Sequence, residues 1–150
     1  MRVRTNVKRG LLAAALLAGF VAPPALAETE TLSCVVKDRG NSYYQPATVR
    51  LTADFYRGKV LVEDDLTRKV HGGPVAGQVE TRNGKRTTIV WTVTGIPSDP
   101  KTIAGYVKAT IIQRLTIWPD GKGVLTGVIG LNSRKNKPQL RSDVTCTPQK

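Results

Sequence analysis

Residues 106–131 read YVKATIIQRLTIWPDGKGVLTGVIGL and carry the clearest structural pattern in the chain. Apolar side chains alternate with polar ones on both sides of the central sequence WPDG, residues 118–121. This period-two alternation is typical of a β-strand that has one buried face and one solvated face. Proline, aspartate and glycine in the central sequence favour a tight turn, because Pro fixes φ and Gly tolerates a positive φ. The stretch therefore predicts a long antiparallel hairpin.

Six other segments are predicted to be strands, and none of the chain shows a helical period. Most of them alternate in the same way. For residues 59–63 the sequence does not show the inward parity, that is, whether the odd-numbered or the even-numbered side chains face the core. The Asn83-Gly84 pair between two such runs is a strong local signal for a hairpin. Residues 66–74 are expected to form a loop. The six predicted strands span residues 32–36, 49–55, 59–63, 75–81, 87–94 and 140–146.

The lengths of the connections favour a closed barrel. In chain order they run long, short, long, short, long, short and long, and in a meander the alternate connections lie at opposite ends. We therefore expect an eight-stranded antiparallel up-and-down (lipocalin-like) barrel, with the long loops around one rim. Closure removes exposed strand edges, which a set of eight strands would otherwise present. A two-sheet β-sandwich is the alternative architecture.

The first 27 residues have the pattern of a secretory signal peptide. Four basic residues precede an apolar run over residues 11–21, and Ala25-Leu26-Ala27 is a small-x-small cleavage site. We therefore expect cleavage near Ala27, a single all-β domain over residues 28–150, and a periplasmic or secreted location. The apolar run is short for a membrane span. The strands also lack the aromatic girdles of an outer-membrane barrel, so we expect no membrane-spanning part in the mature chain.

Cys34 and Cys146 are the two cysteines, one near each end of the predicted mature chain. In an exported protein an even number of cysteines indicates a disulfide, and one pair allows one connectivity. Because each cysteine lies on the apolar parity of its segment, the bridge is predicted to join the first strand to the last.

The charge of the chain is strongly positive. The sequence holds 23 basic and 11 acidic residues, and removal of residues 1–27, which contain four basic and no acidic residues, leaves a formal charge of +8. The surplus of positive charge lies at both predicted ends of the barrel, so it does not indicate which end binds a partner. It favours anionic partners such as acidic glycans or lipid headgroups, although it can also serve general solubility. Export makes intracellular nucleic acid a poor partner. The basic residues concerned are Arg57, Lys59, Arg82, Lys85 and Arg86 at the end with the short turns, and Arg134, Lys135 and Lys137 at the other.

Three groups of residues are candidate binding residues. Tyr43 and Tyr44 lie in a predicted long loop, where the apolar ring and polar hydroxyl of tyrosine suit a contact surface. Gln113 lies on the apolar parity of its strand, where it could hold the polar group of a ligand or bond to neighbouring backbone. The third group is the basic loop cluster of Arg134, Lys135 and Lys137. Small inward residues, among them Gly77 and Gly127, either leave room for a ligand or allow tight packing.

Residues that could support catalysis or metal binding are few. His71 is the one histidine, and no nucleophile elbow or oxyanion-forming motif accompanies it, so we expect a solvated loop residue. Glu63 and Asp65 share a strand face and could form a paired-carboxylate or calcium site, although a charged strand end is the simpler interpretation. We therefore expect no catalytic residue, metal or cofactor.

The predicted architecture resembles that shared by lipocalin-like ligand carriers and small periplasmic lysozyme inhibitors. This is a likeness of shape, and shape alone does not give a function. We expect an exported non-enzymatic binding module for a small amphipathic or anionic ligand, or for an anionic envelope surface. A protein-interaction module, such as an inhibitor or an envelope-complex subunit, is the alternative, although a basic chain suits a basic lysozyme target poorly. A hydrolase that uses His71 ranks below both, and the oligomeric state is left open.

Overall fold

A computed structural model of the chain describes residues 29–39, 43–97, 108–130 and 140–150. The predicted signal peptide, the predicted cleavage site and the basic loop cluster of Arg134, Lys135 and Lys137 lie outside these ranges. The described residues form eight strands and one short helix. In chain order these are β1 Glu30–Val36, β2 Thr48–Asp54, β3 Lys59–Asp64, α1 Asp65–His71, β4 Val75–Arg82, β5 Thr87–Pro97, β6 Lys108–Ile117, β7 Lys122–Gly130 and β8 Leu140–Pro148.

The eight strands form a closed antiparallel barrel in which every strand pairs with its neighbours in the sequence. The order is β1 to β8, and β1 closes the barrel by pairing with β8. The predicted up-and-down barrel is therefore confirmed, and the sandwich alternative is wrong. The short connections, residues 55–58, 83–86 and 118–121, lie at one end of the barrel, called here the turn end. The helix and the β1–β2 connection lie at the opposite, loop end.

The hairpin predicted from residues 106–131 is present as β6 and β7. The two strands pair without interruption from Thr110↔Gly130 to Ile117↔Gly123. At the turn, the Gly121 N–H donates to the Trp118 carbonyl oxygen at 3.0 Å, and Gly121 adopts a φ of 80°. A positive φ costs glycine little, so the WPDG sequence is well suited to this bend.

The inward side chains of the strands form one hydrophobic core. Along β6 each buried residue is followed by a more exposed one, as the alternation of the sequence predicts. In β3, Val60, Val62 and Asp64 face inward, which resolves the parity that the sequence leaves open. A methyl group added at Gly77 would lie 2.8 Å from Val62 Cγ2, so this small inward residue permits close packing. The largest fully buried apolar side chains in the described part are Trp91, Leu51, Ile89, Ile96, Ile111, Leu115 and Leu125.

The helix α1 corrects the prediction of a loop over residues 66–74. Its seven residues make fewer than two turns, which is too short for a helical period to appear in the sequence. Capping explains why it forms: the Asp64 side chain accepts from the Thr67 N–H, and the Thr67 hydroxyl accepts from the Asp64 N–H. Gly72, at a φ of 75°, ends the helix. His71 is therefore the exposed last residue of a helix instead of part of a loop.

The disulfide joins the two strands that close the barrel. Cys34 and Cys146 stand directly opposite each other in the β1–β8 ladder, and their sulfur atoms are bonded. The ladder itself extends from Leu32↔Pro148 to Val36↔Val144. The predicted pairing is thus confirmed, and the bridge reinforces a seam that also has backbone hydrogen bonds.

Candidate functional site

A cleft of about 310 Å³ opens at the turn end, where the three short connections meet the start of β1. Its volume is at the lower end of the range for small-molecule sites. Both apolar side chains and charged ones line it, and we call it the turn-end cleft. The lining residues are Glu30, Leu32, Phe55, Arg82, Asn83, Gly84, Arg86, Thr87, Ile117, Trp118 and Pro119.

Arg82 and Phe55 form the cationic and aromatic part of the turn-end cleft. The Arg82 guanidinium carbon lies 3.5 Å from the centroid of the Phe55 ring, which is close enough for a cation–π interaction. Arg82 Nη2 also donates to Glu30 Oε1 at 3.1 Å. The two side chains of this ion pair are 41% and 49% exposed, so the pair contributes little stability of its own. Stacking and pairing together hold the guanidinium in place against the cleft wall.

The β4–β5 connection presents Arg86 to the same cleft. Its four residues are organised by Asn83, whose Oδ1 accepts from the N–H groups of Lys85 at 2.9 Å and Arg86 at 3.0 Å. The Asn-Gly signal therefore locates the turn correctly, although the turn has four residues and an asparagine side chain closes it. Among the described residues Arg86 takes part in no ion pair. Its charge is thus available to a ligand in the cleft.

Trp118 completes an apolar wall next to these charges. Its side chain lies in the cleft lining at the start of the β6–β7 turn, and the residue is 42% exposed. Pro119 and Leu32 add further apolar surface. Two arginines against one glutamate leave the lining with a positive charge. The site therefore combines a group that attracts anions with aromatic surfaces that suit an apolar or aromatic body.

A second cleft, of about 520 Å³, runs over the outer face of β2, β3 and β4. It is mainly apolar, and Leu61 in its lining is 47% exposed. Of its two charged lining residues, Asp54 is paired with Arg57 at 3.6 Å, which leaves Lys59. This second cleft, called here the outer groove, is larger than the turn-end cleft but offers fewer groups that could select a ligand. Inward residues of β3 and β4 also contribute to its lining.

The tyrosines predicted to bind a ligand help to anchor the β1–β2 connection. Their rings meet edge to face, with centroids 5.1 Å apart. Lys69 of α1 donates from Nζ to the Tyr43 hydroxyl at 3.1 Å and lies 4.8 Å from its ring centroid. Tyr43 and Tyr44 thus lie beside the helix at the loop end, away from the turn-end cleft. Their predicted binding role stays a prediction, as does that of Arg134, Lys135 and Lys137.

Gln113 faces inward, as its parity predicts. The residue is 1% exposed, and its side chain has no hydrogen-bonding partner among the described residues. It lies in the barrel interior, directly opposite Trp91 on β5 and Gly127 on β7. The structure therefore does not bring Gln113 together with the two tyrosines into one surface site.

The acidic cluster of residues 63–65 divides into one buried and two partly exposed carboxylates. Glu63 and Asp65 both approach Arg68, at 3.5 and 2.8 Å. Asp64 is 1% exposed and accepts from the Trp91 indole N–H at 3.1 Å in addition to the Thr67 N–H. No group of three or more potential metal ligands occurs in the part of the chain that the structure describes. Arg68 thus pairs with both of the partly exposed carboxylates.

Burial and hydrogen bonding move the pKa values of these carboxylates in opposite directions. Burial raises the pKa of Asp64 above its ordinary value of 3.8, against the effect of the hydrogen bonds from Thr67 and Trp91. Burial also raises the pKa of Asp65, but hydrogen bonds and a neighbouring positive charge outweigh this effect. Hydrogen bonds from the Ala47 N–H and Arg68, with the charge of Arg68, hold the pKa of Asp65 below 3.8.

The sequence identifies only part of the turn-end cleft. The cluster of basic residues around Arg82 and Arg86 is visible as an excess of charge at this end. Phe55, by contrast, is predicted only to face inward at the end of a strand, and nothing in the sequence pairs it with Arg82. This contact depends on the relative position of two hairpin ends, which alternation and turn signals do not specify.

One structural observation and three comparisons bear on what the chain is. Within the described residues no helix has both the length and the apolar character needed to cross a membrane. Comparisons with models of known protein families, with curated proteins and with solved structures gave no match.

Proposed function

We propose that this protein is an exported, non-enzymatic binding module whose turn-end cleft takes a small amphipathic anion. The observation that carries the proposal is the arrangement of Arg82 on the Phe55 ring, with Arg86 and Trp118 lining the same cleft. Arginine binds carboxylate, sulfate and phosphate groups through paired N–H donors, and the adjacent aromatic rings favour an apolar neighbour of that group. A cleft of about 310 Å³ suits a head group and a short apolar part.

Export is supported by two features that are independent of the cleft. The first 27 residues have the organisation of a signal peptide, and the disulfide between Cys34 and Cys146 suits an oxidising compartment. In such a compartment, small acids and the acidic groups of envelope components are the anions that a basic protein meets. Attachment to an anionic envelope surface would use the same arginines, with the acidic group belonging to a lipid or glycan.

The binding experiment uses Trp118 as its own reporter. We expect monomeric octyl sulfate to change the tryptophan fluorescence saturably, and neutral octyl glucoside to bind at least tenfold more weakly. Arg86→Gln should raise the Kd for octyl sulfate about tenfold, since a hydrogen bond to a charged group contributes about 1.5–3 kcal/mol and 1.4 kcal/mol is a factor of ten. Arg141→Gln, on the exposed face of β8, removes an equal charge and should leave the Kd nearly unchanged.

Two results would contradict the proposal. If Arg141→Gln weakened binding as much as Arg86→Gln, the attraction would come from net charge and not from the cleft. If octyl glucoside bound as tightly as octyl sulfate, the arginines would have no part in recognition. Co-sedimentation with anionic liposomes at moderate salt separates the two forms of the ligand: binding to octyl sulfate without liposome binding assigns the cleft to free small anions.

A protein-interaction module is the second candidate, and the outer groove is the observation that favours it. Leu61 is a large apolar residue that lines the groove and is nearly half exposed. Such a surface is typical of contacts with another protein when it forms part of a larger apolar patch. Crosslinking should then yield a defined partner that is lost with Leu61→Ser but kept with Arg86→Gln. The reverse pattern would assign the partner to the turn-end cleft.

A further inference from the structure

We propose that Gln113 is an internal hydration site of the barrel, with one or more ordered water molecules bound to its side-chain amide. This inference concerns the barrel interior and does not depend on the proposed function of the turn-end cleft. It rests on the placement of the side chain, on its lack of a protein partner in the described residues, and on the contrast with the other buried polar groups.

The position of Gln113 is fixed by the strands around it. Gln113 pairs with Trp91 on β5 and with Gly127 on β7, and the β6–β7 ladder continues for several residues in both directions. A shift of one residue would turn every apolar side chain of β6 to the solvent. The glutamine therefore cannot reach the outer face without loss of the whole core face of the strand.

The other buried polar side chains of the described chain all have protein partners. Gln45 Nε2 donates to Ser142 Oγ at 2.8 Å. Asp64 and Thr67 bond to each other across the helix cap, and the hydroxyl oxygens of Thr88 and Thr116 lie 3.2 Å apart. Neither Oε1 nor Nε2 of Gln113 has such a partner in the same part of the chain. Buried polar groups in proteins are nearly always bonded, so an exception indicates a partner outside the protein.

The described groups around the amide offer it no hydrogen bond. Ile111 and Leu115, two positions away on the same strand, are fully buried, and the Trp91 N–H is already donated to Asp64. Gly127 contributes no side chain, and the three described atoms nearest to a methyl group added there are carbon atoms of Leu140 and Ile111. An uncharged amide needs a partner that can both donate and accept. Water meets this need, and internal waters characteristically bind polar groups that the protein leaves unpaired.

A crystal structure of the oxidised protein provides the direct test. We expect an ordered water within about 2.6–3.2 Å of Gln113 Oε1 or Nε2, the usual range for such hydrogen bonds. The water should be missing from the same crystals of Gln113→Met, a variant of similar shape without the amide. Density for an organic molecule at the amide, or a direct bond from Gln113 to another protein group, would overturn the proposal.

Unfolding equilibria of the same variants give an independent readout. If water satisfies the amide, Gln113→Met should change the ratio of folded to unfolded protein less than tenfold. If the amide is without a partner, removal of this buried group should raise that ratio tenfold or more and contradict the proposal. Gln45→Met is the matched control: it leaves Ser142 without its donor and should lower the ratio by about tenfold.

Discussion

Asp64 is a single buried carboxylate that serves three parts of the structure at once. It ends β3, caps α1 through Oδ1, and accepts the Trp91 indole N–H through Oδ2. The contacts with the Thr67 N–H and the Trp91 N–H are 2.7 and 3.1 Å long. Both oxygens therefore receive donors from groups that are themselves buried. An exchange of either oxygen for an NH₂ group would place two donors against each other.

Asp64→Asn tests this double role through the pH dependence of stability. Because the folded-state pKa is raised above 3.8, the contribution of Asp64 to stability is complete below pH 3.8 and declines as the pH rises through the folded-state pKa. The asparagine does not titrate, so this decline should be missing from urea unfolding midpoints measured upward from pH 3.8. Asparagine also caps helices well. A loss of about 1–3 kcal/mol at neutral pH would thus reflect the donor left unpaired.

Asp65 provides the internal comparison for that experiment. Its pKa is lowered, so its contribution to stability is complete above pH 3.8 and is lost as the pH falls through the lower folded-state value. The Asp64→Asn variant should keep this loss of stability at acid pH. An unchanged decline above pH 3.8 in Asp64→Asn would show that another group is responsible for it.

The β6–β7 turn shows how one element is attached to the seam of the barrel. Gly121 adopts a φ of 80°, and its carbonyl oxygen accepts from the Cys146 N–H at 2.7 Å. A methyl group added at Gly121 would lie 2.7 Å from the Cys146 carbonyl oxygen. The turn is thus in close backbone contact with the last strand, next to the disulfide.

Gly121→Ala should therefore lower the free energy of unfolding by about 1–3 kcal/mol, because the left-handed backbone is strained for alanine and the methyl group meets backbone. Gly84, in the β4–β5 turn, is the matched control. Its φ is outside the positive region, and no atom of the described residues lies within 4 Å of an added methyl group. Gly84→Ala should be neutral or slightly stabilising. Equal effects of the two substitutions in urea unfolding would contradict this account.

At the scale of elements, the sequence predicts what depends on local pattern. The β6–β7 hairpin follows from alternation and from the WPDG turn, both of which lie within one stretch. The helix α1 is missed because its cap lies inside an acidic run that can equally be interpreted as a charged strand end. β3 runs one residue further than expected, to Asp64, which faces inward with Val60 and Val62. A seven-residue helix gives too few positions for its period to outweigh that interpretation.

The candidate site was less predictable than the fold, for a physical reason. The cleft is assembled from three hairpin connections and the start of β1, and its character depends on the Arg82–Phe55 contact. Such a contact is set by the twist and stagger of the barrel, which a single sequence does not specify. The inward position of Gln113 was predictable from parity. Its lack of a partner in the described part of the chain was not, because that depends on the side chains of neighbouring strands.

At the scale of the whole molecule, the disulfide connects the first and last strands of the barrel across a sequence separation of 112 residues. A bridge that closes so long a loop restricts the unfolded chain strongly. The chain-entropy relation gives a stabilisation of roughly 4–5 kcal/mol for a loop of this size. The β1–β8 ladder closes the same seam by hydrogen bonds, so the barrel has a second means of closure.

We therefore expect the Cys34→Ala/Cys146→Ala variant to keep the β-sheet circular dichroism of the native protein at low temperature. Its free energy of unfolding should be lower by about 4 kcal/mol in urea. Unfolding of the native chain under reducing conditions should show a similar loss. A difference below about 1 kcal/mol would mean that the hydrogen-bonded ladder alone determines closure.

The pairing of β1 with β8 also has a consequence for the order of folding. β1 pairs with β2 along one edge and with β8 along the other. Its second edge therefore stays without hydrogen-bonding partners until β8 has been added to the chain. Contacts between such distant residues form slowly. Synthesis of the chain through β8 must therefore be complete before the barrel can close, and chains that stop short of Leu140 would expose the unpaired edge of β1 to one another.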